Sequence, residues 1–285
     1  MISSRRDFLA ALGAAALSPP ASAGVGAIEF GVCADAAHFD DAVLHGFDYY
    51  EMEVAEIDRM DDTRFSALKA QVLASPIRCR AFRSLIRRFQ VVGETASAQQ
   101  GAVKAYLERN LDRCRQLEGK VVVWGSGGSR NVPPGFSRDR AWGQIQEFLH
   151  ILGDIARKNN LVIGIEPLRK QESNIINSAG EAFKLAREVN HSNIKIIVDY
   201  YHLRQENEDA EIVRTARDKI VHLHFANPTG RRWPHSASED SEYRRFFSLV
   251  KETGYKGGLS IEGNGTFEAD ADASLRFFRE MLAAG

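Results

Sequence analysis

The sequence predicts a single (β/α)8 barrel, an α/β fold, and three observations support this. After residue 26, short apolar runs alternate with longer segments of helical period, eight times in succession. Strict alternation favours a parallel sheet, and eight repeats favour its closure into a barrel. The chain has 285 residues, of which 44% are hydrophobic, and this suits a barrel of about 250 residues.

The predicted elements follow one another without an interdomain linker. The strands are predicted at 27–33, 47–53, 78–82, 120–125, 161–166, 194–199, 219–224 and 257–262. The helices are predicted at 39–46, 63–74, 98–117, 138–159, 178–189, 206–218, 240–253 and 270–284. The longest strand-to-helix connections are 125–137 and 227–239, and such connections usually carry the site of a barrel. We expect the glycine-rich start of the first to be a flexible lid, because it lacks phosphate-loop spacing.

The first residues are typical of an export signal. The stretch 4–9 (SRRDFL) resembles a twin-arginine motif, an apolar run follows at 10–17, and 21–23 (ASA) fits a cleavage site. We therefore expect residues 1–23 to be a signal peptide and residues 24–285 to form one barrel domain. The expected location is the periplasm, reached by the twin-arginine route.

The composition points to a small-molecule partner. Lys and Arg total 37 against 38 Asp and Glu, a formal net charge of −1, which disfavours nucleic acid or an anionic membrane as partner. We expect no membrane association after signal removal, and a homo-oligomer remains an open alternative. Cys33, Cys79 and Cys114 are expected to be buried free thiols.

Four strands in the carboxyl-terminal half end in a side chain that can bind a metal. These are Glu166, Asp199, His224 and Glu262. Because strand side chains alternate between faces, the residues one and three positions earlier must point the opposite way. All of those are apolar and branched: Ile163, Ile165, Ile196, Val198, Val221, Leu223, Leu259 and Ile261. The four polar side chains are therefore predicted to point together into the barrel mouth.

Three carboxylates at one barrel mouth require a cation to offset their repulsion. Three oxygen ligands and one imidazole suit one divalent ion, Mn²⁺ or Mg²⁺ first, with Co²⁺ and Zn²⁺ also compatible. Taken singly, a strand-end aspartate is more often a helix cap and a lone histidine is more often a core residue. Four such residues in phase on neighbouring strands favour the metal site.

At this point the sequence resembles the xylose isomerase-like barrel superfamily, within its sugar (phosphate) isomerase/epimerase branch, which includes D-tagatose and D-psicose 3-epimerases. The motifs that resemble this family are Glu166-Pro167-Leu168 with Glu172-Ser173-Asn174 and Asn177, Asp199-Tyr200-Tyr201-His202, His222-Leu223-His224, and Ile261-Glu262-Gly263. The resemblance implies that Glu166, Asp199, His224 and Glu262 bind the metal. It also implies substrate contacts from Glu172 and His202, and Arg231, with Arg232 beside it, is the nearest match to a family arginine.

The chemistry expected of such a site is proton transfer next to a carbonyl, with the metal-chelated substrate passing through an enediolate. With Glu166 and Glu262 on opposite sides of the substrate, inversion of one carbon gives epimerisation, and return of the proton to the neighbouring carbon gives isomerisation. A metal-dependent lyase, dehydratase or hydrolase on a keto-sugar or 3-keto-glycoside is the alternative enzyme. A sugar-binding protein on a barrel that has lost its activity is the non-enzyme alternative.

Two further features leave alternatives open. His222 shares the inward phase of His224 but lies one layer deeper, which favours a supporting or core role over direct metal binding. Residues 78–88 carry five arginines around the third strand end. They either bind an acidic group of the substrate or form a solvated surface.

Overall fold

The computed structural model describes residues 28–283, and within them eight parallel strands form one closed barrel in chain order. The strands are β1 (Glu29–Cys33), β2 (Tyr49–Glu53), β3 (Cys79–Arg83), β4 (Val121–Trp124), β5 (Val162–Ile165), β6 (Ile194–Asp199), β7 (Ile220–Phe225) and β8 (Gly258–Ile261). Strand β1 pairs with β8, with Gly31 opposite Ser260, and this pairing closes the barrel. The predicted fold class is confirmed.

The helices surround the barrel. They are α1 (Phe39–Leu44), α2 (Val54–Arg59), α3 (Asp62–Ala74), α4 (Ala96–Gln116), α5 (Gly127–Arg130), α6 (Arg138–Lys158), α7 (Ala179–Val189), α8 (Tyr200–Gln205), α9 (Ile212–Thr215), α10 (Tyr243–Glu252) and α11 (Phe267–Ala283), with 3₁₀ turns at Ala36–His38 and Arg217–Lys219. None of the helices within residues 28–283 is long and apolar enough to cross a lipid bilayer.

The outward strand faces pack against the helices as the alternation predicted. Seven of the eight expected outward residues are buried in one apolar cluster with helix residues: Ile163, Ile165, Ile196, Val198, Leu223, Leu259 and Ile261. Val221, near the start of β7, is partly exposed. The inward phase of the four strand-end polar residues follows from this packing.

The helix predicted at 206–218 is wrong. Helix α8 begins directly after β6 because Oδ1 of Asp199 accepts a hydrogen bond from the backbone N–H of His202 at 3.0 Å. The helix ends at Gln205, and Asn207 follows with a positive φ of 53°. Only the short α9 and a 3₁₀ turn occupy the rest of the predicted helix. His202 therefore lies in a helix, not in a loop.

The connection 125–137 is more structured than expected. It contains the helical turn α5, whose last residue Arg130 is fully buried. Residues 227–239 form an irregular connection, joined to the barrel rim by isolated bridges from Arg232 to Asn227 and Asn264. Helix α2, directly after β2, was not predicted.

All three cysteines are free, as predicted. Cys79 and Cys114 are buried, but Cys33 is partly exposed because it lies at the last position of β1. The predicted signal, residues 1–23, lies outside the described residues, and its cleavage stays a prediction.

Candidate active site at the carboxyl end of the barrel

The four strand-end residues converge on one point. Ligand atoms from Glu166, Asp199, His224 and Glu262 all lie within 4.8 Å of one another. Nδ1 of His224 lies 2.9 Å from Oε1 of Glu166 and 3.2 Å from Oε2 of Glu262. Oδ2 of Asp199 is 4.0 Å from the same nitrogen. The sequence-predicted set is thus brought together around one imidazole nitrogen.

The two carboxylate oxygens of Asp199 point in different directions. Oδ1 caps helix α8 through the backbone N–H of His202, while Oδ2 faces His224. The helix-cap interpretation and the metal-ligand interpretation of this strand-end aspartate are therefore compatible.

The pKa values of Glu166 and Glu262 are shifted in opposite directions. Burial raises the pKa of Glu166, and the neighbouring Glu262 carboxylate adds to this rise. Burial also disfavours the charge on Glu262, but His224 and Arg231 outweigh it and hold the pKa of Glu262 well below its usual range. Burial lowers the pKa of His224, but Glu51 and Glu262 outweigh it and hold that pKa well above its usual range.

The donor set fits a divalent cation. Three carboxylates and one imidazole surround a small volume, and all of them except Glu262 are buried. Their like charges repel one another there unless a cation offsets them. An oxygen-rich set with one nitrogen suits Mn²⁺ or Mg²⁺ and also accommodates Co²⁺ or Zn²⁺. Glu166, Asp199, His224 and Glu262 are the residues that would hold such an ion.

The position of Glu166 depends on two residues of the connection after β4. Gly125 leaves the space for its carboxylate, since a β-carbon there would lie 1.6 Å from Oε2 of Glu166. The buried guanidinium of Arg130 donates to the carbonyl oxygens of Trp124 at 3.0 Å and of Glu166 at 2.6 Å. Burial lowers the pKa of Arg130 to about 10, although Glu166 partly offsets this effect. The glycine-rich segment thus positions Glu166.

His202 presents an unused donor to the site. Its Nδ1 accepts a hydrogen bond from the backbone N–H of Arg169 at 3.2 Å, so in the neutral ring Nε2 carries the proton. That Nε2 is buried without a hydrogen-bond partner among residues 28–283. It lies 3.8 Å from Oδ2 of Asp199 and 4.0 Å from Oε2 of Glu172. An acceptor oxygen of a bound ligand would satisfy it.

The structure distinguishes between the two adjacent arginines. Arg231 donates to Oε2 of Glu262 at 2.9 Å, and its other terminal nitrogen lies 3.6 Å from Oε1 of Glu172. Its guanidinium also lies 4.8 Å from the ring centre of Tyr201. Arg232 is exposed. Arg231 is therefore the arginine that reaches the site.

A cavity of about 370 Å³ opens above the cluster. Its lining combines two carboxylates of the cluster, a further glutamate, three arginines and the glycine-rich segment: Arg83, Ser84, Ile86, Arg87, Gly125, Ser126, Gly127, Gly128, Ser129, Glu166, Leu168, Glu172, Arg231 and Glu262. The volume accommodates a small sugar. A cavity of similar size, about 380 Å³, lies at the opposite end of the barrel beside Lys120 and Tyr255, remote from these groups.

The arginines of residues 78–88 divide between the two ends of β3. Arg83 and Arg87 line the cavity, and both donate to Oε1 of Glu53, at 2.8 and 2.7 Å. Arg80 pairs with Glu29 at the opposite end of the barrel. Arg83 and Arg87 therefore face the site with their charge partly offset by Glu53, whereas Arg80 belongs to the surface at the other end.

Sequence reasoning missed Glu51, which lies next to His224. It is fully buried, and its oxygens lie 2.9 Å from Nε2 of His224 and 2.8 Å from Nε2 of His222. The signal was present in the strand itself, because Tyr50 and Met52 on either side are apolar and face the outer core. The phase argument used for the later strands would have assigned Glu51 to the barrel interior.

Comparison with known proteins adds to this geometry. A family model described as xylose isomerase-like TIM barrel matches residues 25–281. The 3-dehydro-D-guloside 4-epimerase of Escherichia coli is 28% identical over 185 residues, which cover 62% of this chain and 68% of that protein. The D-psicose 3-epimerase of Agrobacterium fabrum is 24% identical over 196 residues, 66% of each protein. The chain thus spans about two thirds of the length of these relatives.

Solved structures give the same fold at low identity. A D-psicose 3-epimerase crystallised in the presence of D-fructose superposes with a TM-score of 0.80 at 18% identity, covering 90% of this chain and all of that one. The IOLI protein, solved with a bound zinc atom, superposes with a TM-score of 0.72 at 16% identity, covering 90% and 98%. The family model covers nearly every residue that the barrel contains, and the chain belongs to the xylose isomerase-like TIM barrel family.

Proposed function

We propose that the protein is a divalent-metal-dependent sugar epimerase or isomerase that moves a proton on the carbon next to a carbonyl group. One observation carries the proposal: Glu166 and Glu262, from different strand ends, approach the same His224 nitrogen at 2.9 and 3.2 Å. The epimerase names of the two relatives support the reaction class.

The ion would be held by the four strand-end residues, with Mn²⁺ or Mg²⁺ preferred and Co²⁺ or Zn²⁺ compatible. Bound there, a divalent ion would polarise the carbonyl and offset the negative charge that develops on the substrate oxygens. The chain's own residues would perform the remaining functions in the cavity.

Proton transfer would belong to the two glutamates. A carboxylate on one side of the substrate removes the proton from carbon and leaves the substrate as its enediolate, and a carboxyl group on the other side returns a proton. Return to the far face of the same carbon inverts it. Return to the neighbouring carbon exchanges aldose and ketose.

The neighbouring polar residues would position the reactants. Arg231 orients Glu262 through the 2.9 Å hydrogen bond. Nε2–H of His202, which has no hydrogen-bond partner within the described part of the chain, would donate to a substrate oxygen, and Glu172 beside it would accept from a hydroxyl. The proposed substrate is therefore a small sugar or sugar-like ketone with adjacent hydroxyls.

Deuterium exchange tests the reaction. The protein is incubated in D₂O with Mn²⁺ and a panel of ketoses and 3-keto-glycosides, and proton NMR follows exchange at carbons next to the carbonyl. We expect metal-dependent exchange that Glu262→Gln abolishes and that Glu280→Gln, at an exposed position of α11, preserves. The labelled carbon distinguishes an epimerase from an isomerase.

Two outcomes would contradict the proposal. Metal binding without exchange or product across the panel would favour a sugar-binding protein on a barrel that has lost its activity. Absence of metal binding would remove the basis of the reaction.

A lyase, dehydratase or hydrolase on a keto-sugar or 3-keto-glycoside is the second candidate. The name of the Escherichia coli relative, a 3-dehydro-D-guloside 4-epimerase, supports a keto-glycoside as the substrate class of this candidate. In that case the enediolate expels its β-substituent, which leaves with the proton that was removed from carbon. For a hydrolase, water then adds at the carbon that lost the substituent. The same NMR experiment identifies this reaction by release of the β-substituent.

We also propose that the protein is exported to the periplasm by the twin-arginine route, on the basis of residues 1–23. Those residues fused to a reporter protein should direct it to the periplasm. Replacement of Arg5 and Arg6 by lysine should retain the reporter in the cytoplasm, and unchanged export would contradict the assignment.

A further inference from the structure

We infer that Glu51 is a positioning residue that fixes the tautomer of His224 and thereby presents its Nδ1 to the metal. The inference rests on the metal site of the proposed function. It concerns β2, a strand that contributes none of the four predicted ligands.

Glu51 lies on the side of His224 opposite the three carboxylates. Its Oε1 is 2.9 Å from Nε2 of His224, whereas Glu166 and Glu262 approach Nδ1 of the same ring. Glu51 and His224 are both fully buried. The imidazole is therefore held between one carboxylate on its far nitrogen and the proposed ion position on its near nitrogen.

The donors around Glu51 require it to act as an acceptor. Its Oε2 lies 2.8 Å from Nε2 of His222 and accepts from the hydroxyl of Ser260 at 2.6 Å. An ionised carboxylate accepts all of these hydrogen bonds and donates none. With an ion bound, each imidazole carries its proton on Nε2, which leaves the Nδ1 lone pair of His224 for the ion that the other three ligands hold.

The surroundings make this arrangement rigid. The hydroxyl of Tyr49 lies 2.7 Å from Oγ of Ser260, so a chain of hydrogen bonds runs from Tyr49 to His224 through Ser260 and Glu51. The side chain of Tyr49 occupies space left by Gly31 and Gly258. A β-carbon on Gly31 would lie 2.2 Å from its Cζ, and one on Gly258 would lie 2.6 Å from its hydroxyl oxygen. Glu51 has little freedom to leave its place.

A carboxylate behind a metal-bound histidine has two physical effects. It fixes the orientation and tautomer of the ring, and it makes the opposite nitrogen a stronger donor. A glutamine would retain the shape but carry one N–H₂ group, which cannot accept from an imidazole N–H. One of the two histidines would then have to change tautomer or lose its partner.

Metal affinity and the tautomer of His224 test the inference, and both are measured without substrate. We expect Glu51→Gln to raise the Zn²⁺ dissociation constant by roughly 10–100-fold, the range typical of such partners. Glu208→Gln is the control, because Glu208 accepts hydrogen bonds from the backbone N–H groups of Ala179 and Gly180 instead. We expect the control to change the constant less than threefold.

Long-range ¹H–¹⁵N NMR of the histidine rings in the Zn²⁺-loaded wild type gives a readout that needs no variant to fold. The expected spectrum shows His224 protonated on Nε2 with its Nδ1 bound to the metal. The inference would be overturned by metal on Nε2 or by an unchanged Zn²⁺ affinity in Glu51→Gln. It would also be overturned by a second ion held by Cys33, Glu51 and His224, whose ligand atoms lie within 4.8 Å of one another. Because neither measurement uses substrate, lack of catalysis would contradict the proposed function and leave this inference standing.

Discussion

A β-carbon on Gly125 would lie 1.6 Å from Oε2, 2.7 Å from the carboxyl carbon and 3.3 Å from the β-carbon of Glu166. The conflict thus extends beyond the tip of the side chain, and the whole carboxyl group of a buried residue would have to move. Gly125→Ala should therefore weaken Mn²⁺ binding by on the order of 10-fold or more while the fold is retained.

Titration with Mn²⁺ measures this effect, and circular dichroism checks the fold. Gly128→Ala, three residues along the same segment, is the control because nothing lies within 4 Å of its added methyl group. Equal affinities for the two variants would show that Glu166 does not bind the ion in the observed position.

Metal removal should lower stability, because the ion offsets the repulsion among buried carboxylates. An ion present at 100 times its dissociation constant adds about 2.7 kcal/mol to the free energy of unfolding. Urea unfolding with Mn²⁺ and with EDTA measures the difference. Glu166→Gln should lose most of this gain, and without metal it should be at least as stable as the metal-free wild type, since one buried charge beside Glu262 is gone. An equal Mn²⁺ effect in both proteins would contradict the ligand assignment.

Replacement of Arg231 should impair catalysis more than metal binding. Arg231→Met removes the 2.9 Å hydrogen bond to Glu262, and misplacement of a reacting group costs on the order of 100-fold in rate. Arg232→Met, at the exposed neighbouring position, should stay within twofold of the wild type. Steady-state kinetics on the substrate found by exchange compare the two, and a larger defect in the Arg232 variant would reverse the assignment.

Arg130 should stabilise the fold through backbone carbonyls. Arg130→Met leaves the carbonyl oxygen of Glu166 without this donor, whereas that of Trp124 keeps the backbone N–H of Glu166 at 3.2 Å. An unpaired buried acceptor costs about 1–3 kcal/mol. Removal of a buried charge offsets part of that, so we expect a net loss of about 1 kcal/mol in the free energy of unfolding, measured with urea. Arg140→Met, an exposed arginine paired with an exposed glutamate, should cost less than about 0.5 kcal/mol. Similar losses in both variants would argue against the role of Arg130.

Periodicity alone predicted most of the barrel and failed where local capping overrides it. The eight strands follow from alternation, as do the outward faces of the four strands in the carboxyl-terminal half, and helices such as α4 and α6 follow from their length. The helix predicted at 206–218 failed because the Asp199 side chain starts a helix at residue 200. Helix propensity and hydrophobic period do not show which residue caps the helix and therefore where the helix begins.

The sequence by itself determined the barrel, its direction and the four strand ends that meet at its mouth, because those follow from patterns within a few residues of each other. Only the tertiary structure decided that Arg231 and not Arg232 reaches the site, and that Glu51 lies behind His224. It also decided that Nε2 of His202 has no hydrogen-bond partner among the residues described, 28–283. Glu51 and His224 are 173 positions apart in the chain. Their contact depends on the closure of the barrel between β1 and β8, which brings β2 across from β7, and no local pattern records such a distance.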